Sequence, residues 1–340
     1  MNLRRTLLTT GGVGAAAVTL AGVALARHAR RHRPLLDQLA PDLRSPSLAV
    51  PLSVTGPVSL RLVRRLLSSA STVGEGVEVS EERVEGVRAL VYRPEDLATP
   101  AAALLWLHGG GYVMGSPEAD HQHSSWLARE LGIVIVSVDY RLAPEHPFPA
   151  GLDDAAVVLT WMHERAEALG IDPDRLAVGG ASAGGGLAAA LAQRAHDEGQ
   201  IPLAFQLLVY PMLDDRTPFG PLGRHPWPVW TGASNRFGWT SYLGRAAGGE
   251  DAPAYAAAAR RTDLTGLAPA WIGVGDVDQF HDEAVAYAAR LGSAGVDCGL
   301  LVEPGMFHGA DAGLTDSTAT TRRFRDRLLA AARTGLAAPA

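Results

Sequence analysis

The chain has 340 residues, of which 47% are hydrophobic and 19% charged, enough apolar content for a large core and too little charge for a disordered chain. Its formal net charge is −6 and no basic tract interrupts the body of the chain, which argues against a nucleic-acid partner. The single cysteine, Cys298, excludes a fold held by an intramolecular disulfide; it sits in the apolar run Cys298-Gly299-Leu300-Leu301-Val302 and is expected as a buried strand residue.

In chain order, the first distinct segment is residues 1–33. Arg4-Arg5 precede a run of Gly, Ala, Val, Leu and Thr from Thr6 to Ala26, and Arg27, His28, Arg30, Arg31, His32 and Arg33 follow it. With Ala24-Leu25-Ala26 as an A-x-A-like cleavage site, the segment resembles a twin-arginine export signal. The run also approaches bilayer-spanning length, so an uncleaved membrane anchor competes. The arginines behind it disfavour passage of that flank across a membrane, which leaves a cytoplasmic chain as the alternative. Export or anchoring, with membrane contact through this segment, is the expectation.

Residues 34–83, rich in Leu, Arg, Ser and Pro, form a separate N-terminal region. From Val84 to about residue 335, apolar runs of strand length alternate with helix-length segments. The predicted strands are 102–107, 133–138, 175–179, 205–210, 270–274 and 300–302. The predicted helices are 118–131, 152–169, 182–196, 282–291 and 315–332. Runs apolar on both faces mark a parallel sheet covered on both sides by helices. The alternation points to a doubly wound α/β domain with a mostly parallel central sheet. One long insertion breaks it at about 213–262 and carries Phe219, Trp227, Trp230, Phe237, Trp239 and Tyr242. It reads either as a lid over a site or as a subdomain whose aromatics fill its own core. No internal repeat is present.

Chemistry concentrates at strand ends. Gly180-Ala181-Ser182-Ala183-Gly184 matches G-x-S-x-G, directly after a predicted strand and before a predicted helix. That placement suits a nucleophile elbow, in which glycines let the chain turn sharply and lift the serine hydroxyl above the sheet at a helix N-terminus. His108-Gly109-Gly110-Gly111 ends the first predicted strand. Acyl transfer needs backbone N–H groups aimed at an oxyanion, and Gly110, Gly111 and Ala183 are assigned to it. His108 is expected to brace this loop through hydrogen bonds. The triple glycine has neither a P-loop lysine nor G-x-G-x-x-G spacing, so it does not read as a phosphate loop. In this fold the order is serine, acid, histidine. His308 follows a late strand and is the candidate base. Asp276 and Asp278 both follow the strand before it, and spacing does not separate them.

Together, His108–Gly111, Gly180–Gly185, the Asp139–Ala150 block and Asp278-Gln279-Phe280-His281-Asp282-Glu283 resemble the hormone-sensitive lipase family of α/β-hydrolases, the bacterial family IV esterases, over about Val84 to Ala332. The resemblance implies the α/β-hydrolase fold, a helical cap formed by residues 34–83 and 213–262, and ester hydrolysis through Ser182, Asp278 and His308. The family's D-x-x-x-D-E pattern puts the acid on its first Asp, which selects Asp278 over Asp276. The Asp139–Ala150 block becomes a structural brace, with no catalytic role for Arg141 or Glu145. Two positions depart from the family: Ala181 stands where Asp is usual, and Gln279-Phe280 where Pro-x-Leu is common. The expected partner is a small-molecule ester with short- to medium-chain acyl groups, with no cofactor and no metal. Long-chain lipid is disfavoured, because no amphipathic lid with a strong basic face stands out. An amidase or deacetylase would use the same triad, and a non-catalytic small-molecule receptor can share the fold. The filled triad positions favour the enzyme.

Overall fold

A computed structural model describes residues 34–49, 53–66, 71–220, 228–312 and 318–337. The signal-like or anchor segment at 1–33, Trp227 and residues 315–317 of the last predicted helix lie outside the described residues. Among the described residues, no helix is long and apolar enough to cross a membrane.

The N-terminal region contributes helix α1 (Pro57–Leu66) and then strand β1 (Val77–Val84). Only Val77 and Val84 of β1 are buried, because it lies at the sheet edge and its charged residues face water. Glu85 and Gly86, at φ 51° and 89°, turn it into β2 (Val87–Pro94), with Val84 opposite Val87. Two successive left-handed residues are what a tight hairpin turn demands. Residues 77–83, ahead of the boundary expected at Val84, thus pair into the edge of the sheet.

The core strand β3 (Ala101–Leu107) is buried at every residue. Its neighbours, β4 (Val134–Asp139) and β5 (Ile171–Ala181), pair parallel on its two sides. Between them come helices α2 (His121–Leu131), α3 (Ala150–Glu164) and α4 (Ala166–Leu169). The single helix expected over 152–169 breaks at Arg165, and Gly170 at φ 62° ends α4. Next come α5 (Ala183–Glu198), β6 (Phe205–Val209), α6 (Gly232–Leu243) within the insertion, β7 (Ala270–Val277), α7 (His281–Ser293), β8 (Cys298–Phe307) and α8 (Ala319–Gly335). The eight-stranded sheet runs β1-β2-β4-β3-β5-β6-β7-β8. It is antiparallel at β1/β2 and β2/β4 and parallel elsewhere. Helix α2 packs on α8 and α3 on α5, burying the strands from both sides. Cys298 opens the far edge strand and is half-buried, not fully buried as expected.

Because the central strands are parallel, their C-terminal ends share one edge. Ser182, His308, Asp278 and the 108–111 loop all follow such ends.

Candidate active site

Ser182 stands alone between β5 and α5, at φ 57° and ψ −119°. A non-glycine residue there costs roughly 1–3 kcal/mol. Its amide donates to Val209 O (2.9 Å), and its carbonyl accepts from Met212 N (2.9 Å) and Gly186 N (3.0 Å). The motif glycines are needed for close approach: a Cβ on Gly184 would lie 1.9 Å from Leu107 O, and one on Gly180 2.6 Å from the same atom. Ser182 occupies the N-cap of α5, yet its side chain makes no capping bond. The hydroxyl instead meets His308 Nε2 at 2.9 Å.

His308 follows β8, and its Nδ1 lies 2.8 Å from Asp278 Oδ2. A carboxylate only accepts, so Nδ1 carries the proton and Nε2 is free to accept from the serine. Asp278 is 1% exposed, and its Oδ1 accepts from Phe280 N at 2.8 Å. Asp276 is not part of this group; its side chain is exposed and accepts from Gly305 N at 2.6 Å. The imidazole is held between two ring edges, Phe280 at 4.9 Å and Tyr210 at 4.8 Å between centroids.

The 108–115 loop closes the other side. Gly110 and Gly111 lie at φ 125° and 61°, and among the described residues neither amide donates to a protein acceptor. The Ala183 amide opens α5, where no earlier turn supplies a carbonyl. His108 Nδ1 donates to Gly109 O at 2.8 Å, and its ring stacks on Tyr140, whose hydroxyl donates to the His108 carbonyl at 2.7 Å. Burial pushes the His108 pKa down and keeps the ring neutral. In the Asp139–Ala150 block, Arg141 pairs with Asp154 at 2.8 Å and Glu145 with Arg64 of α1 at 2.8 Å. None of these four residues lines the cavity at Ser182.

A cavity of about 300 Å³ opens onto Ser182, His308 and the glycine loop. Val229 and Trp230 bring the insertion to its wall. Of the insertion's other aromatics, Trp239 and Tyr242 pack on Tyr112, and Phe219 is exposed. The described N-terminal residues touch the insertion, through Ser53 Oγ with Thr231 Oγ1 (3.1 Å) and Val54 N with Ser234 Oγ (2.9 Å), but do not line the cavity.

Sequence reasoning missed several contributors. Gln279, one of the departures from the family, donates from Nε2 to Trp230 O at 2.8 Å and ties the acid loop to the insertion. Phe280, its neighbour in the same departure, is a ring against His308. Tyr210 directly follows β6, but nothing in its local sequence places it beside His308. Trp106, Asp120 and His123 line the cavity and belong to no motif.

A family described by the alpha/beta hydrolase fold matches residues 104–312. The carboxylesterase NlhH of Mycobacterium tuberculosis is 38% identical over 243 residues, covering 67% of this chain and 74% of its own. An ethyl acetate hydrolase of Pseudomonas putida is 39% identical over 234 residues, covering 64% of this chain and 69% of its own. Among solved structures, a bacterial heroin esterase superposes with a TM-score of 0.82 at 36% identity, over 89% of this chain and 99% of that one.

Proposed function

This chain belongs to the hormone-sensitive-lipase-like, family IV branch of the α/β-hydrolases and is a carboxylesterase; from that premise we propose that Ser182, His308 and Asp278 are its catalytic residues and short- to medium-chain acyl esters its substrates. The observation that carries this reading is the continuous contact from Ser182 Oγ to His308 Nε2 (2.9 Å) and from His308 Nδ1 to Asp278 Oδ2 (2.8 Å).

Ser182 Oγ attacks the ester carbonyl carbon while its proton passes to His308 Nε2. The carbonyl oxygen becomes an oxyanion and takes hydrogen bonds from the Gly110, Gly111 and Ala183 amides. These donors are already fixed, so little reorganisation is needed as charge develops. The carbon–oxygen bond to the alcohol then breaks, and the leaving oxygen takes the proton from His308. Water repeats the sequence on the acyl-serine and releases the acid. Asp278 keeps Nδ1 protonated and stabilises the imidazolium.

A cavity of about 300 Å³ supports short arms on the ester. Val229 and Trp230 at its wall, and the Gln279–Trp230 bond, support a capping role for the insertion. The test is turnover of p-nitrophenyl esters from acetyl to dodecanoyl by the wild type and Ser182→Ala. Expected are a maximum at short to medium acyl groups and a loss on the order of 10⁶ in kcat for the variant. Equal rates in the two proteins end the assignment of Ser182. A rate rising steadily to dodecanoyl ends the chain-length reading alone.

A further inference from the structure

The cavity beside Ser182 has a mixed lining. Met114, Val229 and Trp230 contribute apolar surface to its wall. Trp106 near the end of β3, Asp120 before α2, and His123 in its first turn also line that wall. Asp120 is the one carboxylate among the described lining residues, and no lysine or arginine lines the cavity with it.

Asp120 does not do what its position suggests. It sits at the N-cap of α2, where an aspartate ordinarily accepts from a first-turn amide. Its side chain makes no such bond. It turns instead to Trp106, whose Nε1 donates to Oδ2 at 3.1 Å. A neutral amide or carbonyl oxygen would satisfy that indole equally well, so the bond does not account for a charge. The carboxylate is only half-buried, and its second oxygen has no partner among the described residues.

Its neighbours do not neutralise it. His123 is 9% exposed and its ring lies 5.0 Å from that of Trp106. Burial lowers the His123 pKa, so the ring is neutral near pH 7, and its Nε2 is buried without a partner among the described residues. His108, 1% exposed, has the same unpartnered Nε2 on the same cavity. Three aromatic rings, Trp106, Tyr210 and Trp230, line the same cavity. A carboxylate on a cavity lined by aromatic rings, with no lysine or arginine among the described lining residues, is an environment that a substituted ammonium group occupies well, through Coulomb attraction and ring quadrupoles together.

We propose that Asp120 is a specificity residue that selects esters carrying a protonated amine on one arm, with the ammonium seated between Asp120 and the cavity's aromatic rings. This deepens the reading of Ser182 as nucleophile and rests on it. The same wall repels esters bearing a free carboxylate.

Isosteric pairs isolate the charge. On the alcohol arm they are 2-(dimethylamino)ethyl butanoate and 3-methylbutyl butanoate. On the acyl arm they are ethyl 4-(dimethylamino)butanoate and ethyl 5-methylhexanoate. For at least one pair, kcat/KM is expected to favour the cationic member by about tenfold or more at low salt. Asp120→Asn, which keeps an oxygen for Trp106, is expected to cut that ratio about tenfold, chiefly through KM. In the wild type, raising salt from about 0.02 M to about 0.5 M is expected to shrink the ratio without any mutation. Monoethyl succinate is expected to be the poorest ester. The proposal is overturned if neither pair shows a cationic preference, or if the ratio survives both Asp120→Asn and salt. Failure to hydrolyse the neutral esters would instead count against the Ser182 reading, so the two failures remain distinct.

Discussion

Three backbone hydrogen bonds, to Val209, Met212 and Gly186, hold Ser182 in a conformation that L-residues avoid. That rigidity keeps the hydroxyl clear of the helix cap and on His308 Nε2. The same logic governs Gly111: at φ 61°, with the Trp230 ring only 2.3 Å from where a Cβ would stand, it has no room for a side chain. Gly111→Ala is expected to displace the loop amides and lower kcat by about 10²–10³. Gly199→Ala, at φ 66° in open space, adds comparable backbone strain and is expected to leave the esterase rate unchanged. The two aspartates separate as cleanly. Asp278→Asn forces the wrong histidine tautomer and is expected to lower kcat by about 10⁴. Asp276→Asn weakens only the bond from Gly305 and is expected to cost about 1 kcal/mol of stability. The kcat of each variant in one ester assay decides it, and the opposite ranking overturns the Asp278 assignment.

Among the elements, α7 does more than follow the acid. Its Glu283 accepts from Leu213 N at 2.7 Å and from the Thr217 hydroxyl, fastening the root of the insertion to the domain. Burial pushes the Glu283 pKa well above the ordinary carboxyl value, against the pull of these donors. A carboxyl whose folded pKa is raised holds extra protons in the native state. Its stabilising effect is complete below the unfolded pKa and is lost as pH rises through the folded one. Thermal melts from about pH 4 to about pH 8 are therefore expected to show the wild type losing stability relative to Glu283→Gln as pH rises. A pH-independent difference would mean that Glu283 stays ionised throughout. The elements differ in how readable they are. β3 is apolar throughout because helices cover both its faces, and its strand signal is strong. β1 reads Val77-Glu78-Val79-Ser80-Glu81-Glu82-Arg83-Val84, and as a solvated edge strand it carries almost no apolar pattern.

For the whole molecule, the N-terminal region is an integral layer. Leu35, Leu39 and Leu43 are 3%, 1% and 8% exposed. Ala40 N donates to Gly305 O in β8, the strand that leads into His308, at 3.0 Å, and Asp42 accepts from Thr320 N at the start of α8 at 2.8 Å. Burying three leucines contributes about 5–9 kcal/mol, against a total stability of about 5–15 kcal/mol. A chain beginning at Ser53 is expected to melt more than about 10 °C lower or to aggregate, and an unchanged melting temperature would refute this. The sequence by itself determined the strand–helix alternation, the serine elbow, the glycine loop, and the order of serine, acid and histidine. Each of these depends on short-range constraints: apolar periodicity, turns that tolerate only glycine, and a helix start after a strand. Spacing alone left Asp276 and Asp278 open; the family pattern selected Asp278, and Asp278 is the one that meets His308. Tertiary structure decided that the first hairpin joins the sheet and that Asp120 bonds Trp106 instead of capping its helix. Those outcomes depend on contacts between residues far apart in the chain, which local pattern does not encode.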